Sequence, residues 1–249
     1  MTTPTSTITA AETTGGIDGA AFLSALRLAD SFLPVGGFTA SYGLEQYLNE
    51  GRLEDSERLR ELLAAYLRRV VGPCESIALA NAHGASESHS LEELRAVNER
   101  LSAVTMPREF RESSTKAGTK LCELLAETDD SSEGGHLESE LTAAIEAGEI
   151  TCQYPVVFGV ATHRRGLSRL ETCLAHAHAF VTGLLGAAQR LGRFGHTEIQ
   201  SILTALQPVV LEICERHVDD PPSAMGSFAP LVEIMGMRHE RAERRLFMS

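Results

Sequence analysis

Nine histidines and five cysteines are the side chains here best suited to bind a metal or move a proton, and His176-Ala177-His178 is the tightest histidine pair. On a helix, residues two apart diverge by about 200°, so these rings cannot chelate one ion from the same face. Cys173 and His176 do share a face, as a soft-ligand pair that needs partners from another helix. The plainer reading is a buried thiol beside a hydrogen-bonded histidine. Cys74, Cys122, Cys152, Cys173 and Cys214 are odd in number, scattered and never in a C-x-x-C pair, a pattern of reduced buried thiols rather than a disulfide framework or zinc site.

The usual catalytic signatures are missing. Gly118-Thr119-Lys120 lacks the upstream glycine of a phosphate loop, and there is no G-x-G-x-x-G, G-x-S-x-G or H-E-x-x-H. No catalytic residue, metal ligand or cofactor is therefore assigned. A scattered-site or metal-dependent all-α enzyme using His163, His176 or His178 stays open as the alternative, because dispersed groups leave no local signature.

The remaining chemistry is cationic and sits at 227–249, where Phe228, Met237, Arg238, His239, Glu240, Arg245, Leu246 and Phe247 mix apolar anchors with groups able to meet carboxylates. The stretch follows the breaker-rich Asp219-Asp220-Pro221-Pro222-Ser223, so it lies outside the preceding helical pattern, and composition alone favours a solvated terminal helix over a partner-docking segment. On the docking reading it orders on a partner, and truncation after Asp220 leaves the body nearly as stable as before. The net charge of −12 excludes nucleic acid, since phosphate neutralisation needs a basic surface. No signal peptide or membrane-length apolar run is legible, so a cytoplasmic protein is expected.

The elements that must carry these groups are helices. Aromatics make up 5% of the chain and Trp is absent, while Ala and Leu abound. The expectation is an all-α, single-domain bundle of roughly eight to ten helices. Residues 1–18 read as disordered, 19–218 as the helical domain and 219–249 as linker and docking segment. Ala21–Ala29 forms a short helix that stops before Pro34 and Gly36-Gly37, in a loop apolar enough to pack inward. Asp55 caps a helix whose stripe Leu59, Leu62, Leu63, Tyr66, Leu67, Val70, Val71 ends at Gly72-Pro73. Ser90 and Glu93 open another helix, and a further one runs over 108–127.

Ser168 and Glu171 open the longest helix, with Gly183, Gly186 and Ala187 allowing close approach of a neighbour. Thr197 and Gln200 cap the next, in which Pro208 introduces a kink or a break.

Several segments in order resemble the family of urease accessory protein F (UreF). They are Leu28 to Glu45 with Pro34, Gly36, Gly37, Phe38, Ser41 and Glu45; Tyr154 to Ala161; Gly195 to Gln200; and Ser227 to Pro230 with Met237 to Glu240 and Arg245 to Ser249. Ala40 and His196 depart from the residues common there, His and Gln. The resemblance implies a non-catalytic homodimer that bridges UreD (also called UreH) and the nickel-carrying GTPase UreG, and joins them to apo-urease for nickel insertion. Whether it stimulates or restrains GTP hydrolysis stays open.

Overall fold

The computed structural model describes residues 18–36, 41–128 and 136–242. Among them are eleven α-helical segments and no strand: α1 Gly19–Ala29, α2 Leu44–Asn49, α3 Ser56–Tyr66, α4 Ile77–Glu87, α5 Leu91–Val104, α6 Arg108–Thr128, α7 His136–Glu146, α8 Tyr154–Arg164, α9 Arg169–Arg190, α10 His196–His217 and α11 Pro230–His239. The all-α expectation holds. No helix among the described residues is long and apolar enough to cross a membrane.

The main departure lies at Gly72-Pro73. Asp55 Oδ1 does accept from the Arg58 backbone N–H at 2.8 Å and opens α3. The chain then passes through a π-type segment, Leu67–Ser76, straight into α4, so α3 and α4 form one rod. A wider i→i+5 turn absorbs a proline that an α-helix rejects for its missing N–H and its clash with the preceding turn. Gly72 serves packing: a Cβ there would lie 2.9 Å from His217 Cδ2 and 3.1 Å from Ile213 Cβ, both on α10. Pro208 likewise sits inside α10 without dividing it. That helix begins at His196 with Gly195 as its cap, and Glu198 Oε2 accepts the Gly195 N–H at 2.8 Å, so Thr197 is not the cap.

At the centre is α8, with every residue from Pro155 to Thr162 buried. A helix apolar all round belongs in a core. It meets α4 backbone to backbone at Gly159, where a Cβ would stand 2.6 Å from Leu79 O. Around it, α9 is opened by a reciprocal capping box between Ser168 and Glu171 and buries Cys173, Ala177, Val181, Leu184 and Ala188.

The glycines of α9 do not do what their spacing suggests. Among the described residues, nothing lies within 4 Å of a Cβ on Gly183, and only the Arg190 guanidinium approaches one on Gly186. Both line a cavity of about 390 Å³ bounded by Leu28, Ala29, Leu33, Tyr42 and Phe180. The loop after α1 is also not inward as a whole: Val35 is buried, whereas Phe32 is 91% exposed and Pro34 and Gly36 are exposed. Gly36 takes a left-handed φ of 87°, open to glycine at little steric cost. Gly37, Phe38 and Ala40, and residues 1–17, lie outside the described residues.

Candidate functional site

The stretch read as a linker is bonded to the body. Asn81 Nδ2 donates to Asp220 O at 2.9 Å, Arg100 donates to Met225 O at 2.7 Å, and the Gly226 N–H donates to Pro73 O at 3.2 Å. Pro222–Ala224 forms a 3-10 turn and Met225 is 1% exposed. From there α11 returns across α2 and α6.

Val232, Met235, Gly236 and His239 are the buried residues of α11, an i, i+3, i+4, i+7 stripe. Close approach rests on glycine at two places. A Cβ on Gly236 would meet Phe110 Cζ at 2.8 Å, and one on Gly43, whose φ is 78°, would meet Gly236 N at 3.1 Å.

The site residues expected from sequence separate into two groups. His239 is buried, with Glu45 from α2 on one side and Glu109 from α6 on the other. Glu45 and His239 come from motifs nearly two hundred positions apart and meet here. Glu240 Oε1 accepts the Glu109 backbone N–H at 3.0 Å. Arg238 is turned back to Glu50, donating at 2.8 and 3.0 Å. Hydrogen bonds from Gln46, Arg52 and Arg238 hold the Glu50 carboxyl down at about 2. Ser41 is buried. His239, Glu45 and Ser41 are thus all buried.

The second group faces outward. Phe228 is 77% exposed, Leu231 and Ile234 45% each, and Met237 36%, with Met106 nearby in sequence to α6 also exposed. Leu231 and Ile234 were not anticipated, although they complete the outer side of a helix whose inner side is fully used. Arg245, Leu246 and Phe247 lie outside the described residues.

The histidines weighed for catalysis have separate neighbours. His176 Nε2 lies 2.8 Å from Glu75 Oε2, the His163 ring stands edge-on to His83 at 4.7 Å, and His178 is exposed on the far side of α9. Cys173 donates to Ser76 O at 3.5 Å rather than pairing with His176. All five thiols are buried, and burial pushes Cys74, Cys122, Cys152 and Cys214 up to about 12 and Cys173 up as well. Among the described residues no three His, Cys, Asp or Glu side chains gather as a metal-binding group.

The sequence pattern that defines the UreF family matches residues 53–207. The chain belongs to the UreF family. A protein named urease accessory protein UreF from Trichodesmium erythraeum (strain IMS101) is 32% identical over 227 residues, covering 90% of this chain and 95% of that one. Its namesake from Arthrobacter sp. (strain FB24) is 33% identical over 227 residues, with 91% and 96% covered. Urease accessory protein UreF 2 of Brucella canis is 30% identical over 231 residues, covering 91% of each. The UreF pattern spans α3 to most of α10. Glu45 and the whole of α11 fall outside it, so the outward face of α11 is described by its geometry and not by the family match.

Proposed function

We propose that this chain is a non-catalytic urease accessory protein of the cytoplasm that bridges UreD (UreH) and the GTPase UreG and joins them to apo-urease for nickel insertion. The observation that carries the reading is the two-sided use of α11: Val232, Met235, Gly236 and His239 are buried on one side, while Leu231, Ile234 and Met237 stay exposed on the other, with Phe228 exposed just before the helix. An apolar patch held on a rigid helix, with an Arg238–Glu50 ion pair at its edge, is the anatomy of a docking face. UreD is its occupant in this reading.

The test is affinity for UreD, UreG and apo-urease of the same source, with and without Ile234→Asp/Met237→Asp. Two anchors of such a face are worth roughly 2–4 kcal/mol, so the double variant is expected to bind UreD at least about thirtyfold more weakly with an unchanged circular dichroism melt. Undiminished binding rejects the face.

In the same reading a second copy of the chain docks on α1, where Phe22, Leu23 and Leu26 are exposed, together with the exposed Phe32 in the loop that follows. Light scattering at micromolar concentration is expected to give twice the monomer mass, and Leu23→Arg/Phe32→Arg to halve it. A monomeric wild type across concentration and salt rejects the dimer.

A further inference from the structure

Leu28, Leu33, Val35, Ala117, Phe180 and Leu184 give an apolar wall to the cavity between α1, the loop that follows it, α6 and α9. At about 390 Å³ it lies within the range of roughly 300–1,000 Å³ typical of pockets for small organic ligands. Gly183 helps to keep it open, since among the described residues a Cβ there would meet nothing within 4 Å.

Most polar groups on the wall are engaged within the protein. Asp30 Oδ1 accepts the Phe32 N–H at 2.8 Å, Ser114 Oγ accepts the Tyr154 N–H at 3.1 Å, Thr182 donates to His178 O at 3.0 Å, and Gln189 Nε2 lies 2.6 Å from His196 Nδ1. Tyr42 and Tyr154 differ. Both line the cavity, and neither hydroxyl has a hydrogen-bond partner among the described residues. Tyr42 also takes a φ of 47°, a left-handed conformation that a bulky side chain adopts only where its surroundings impose it. Its carbonyl accepts the Tyr66 hydroxyl, and its ring centroid stands 5.3 Å from that of Phe110 and 5.0 Å from that of Phe180. Burial above all, then the Glu75 carboxylate, pushes the Tyr42 hydroxyl up, and burial pushes the Tyr154 hydroxyl up. Both keep their protons, so each can donate and accept.

We propose that this cavity is a binding site for a small uncharged amphiphile, an apolar body carrying one alcohol, amide or carbonyl group that hydrogen-bonds to the Tyr42 or Tyr154 hydroxyl. A charged head group fits less well. Asp30 and Arg190 line the wall with opposite charges, Glu75 already has the His176 ring at 2.8 Å, and an ion loses its hydration against an apolar lining. This site belongs to the chain by itself and does not rest on the bridging role.

Calorimetric titration of the full chain with naphthylmethanol tests it, beside naphthoate and naphthylmethylammonium, which keep the ring and change the charge of the head. One molecule of the alcohol per chain is expected to bind in the micromolar range, and both ions at least about tenfold more weakly. Gly183→Leu fills the cavity with a side chain that favours helix, so it is expected to abolish binding without lowering the melting midpoint. Loss of a hydroxyl that the guest uses, in Tyr42→Phe or Tyr154→Phe, is expected to weaken the alcohol by about three- to tenfold. Methylnaphthalene, which has no head group to lose, should bind alike to wild type and both phenylalanine variants. Absence of saturable binding, equal affinity for either ion, an alcohol affinity that neither phenylalanine variant lowers, or binding that survives Gly183→Leu overturns the proposal.

Discussion

Gly159→Val is expected to destabilise the chain by about 3 kcal/mol or more, the upper range for overpacking a closed core. The first atom a Cβ meets is Leu79 O, a backbone carbonyl at 2.6 Å, followed by the Ala82 Cβ at 3.0 Å. Neither is the end of a flexible side chain, so relief requires α4 and α8 to separate, which opens the core on both sides of α8. Substitution of a helical glycine gains helix propensity, at most about 1 kcal/mol, too little to offset that. For a chain of this size each kcal/mol moves the melting midpoint by about 2–4 °C, so a fall of at least about 6 °C is expected. An unchanged midpoint in a calorimetric melt would mean that the α4–α8 contact is looser than described.

Truncation after Asp220 is expected to cost about 3–5 kcal/mol, contrary to what a detached docking segment implies. Three losses add in the same direction. Met225, Val232 and Met235 leave the core, and burial of a side chain of that kind is worth about 1.5–3 kcal/mol before the entropy of ordering is set against it. Leu44 and Phe110, 0% and 6% exposed, lose their cover. Glu45 and Glu109 lose the hydrogen-bonding ring they share. The check is a denaturant melt of the truncated chain against the full one. A coincident transition would show that α11 contributes nothing to the body.

The helices were readable where the apolar stripe carries the information. Asp55, Ser90 and Ser168 cap helices at the expected places because a side-chain acceptor just before a 3.6-residue pattern has a strong local preference. Gly72-Pro73 and Pro208 misled because propensity is local and packing is not. The dense contact between α10 and the π-type segment outweighs the proline penalty. For the site, the stripe 232, 235, 236, 239 is helical by spacing, but it closes on a histidine and contains a glycine, and neither registers as apolar. His239 reads as a core position only once Glu45 and Glu109 are beside it, and nothing local brings three such distant positions together.

The closure of α11 on α2 also orders events in time. Glu45 precedes His239 by 194 positions, so a growing chain makes Leu44, Glu45, Glu109 and Phe110 long before the residues that cover them. Contacts this far apart in sequence are slow to form, and domains assemble as their segments emerge. The outer face of α11 therefore exists only once residues 230–239 have been made and have closed over that surface. A chain interrupted before them presents Leu44, Glu45, Glu109 and Phe110 without the helix that packs there.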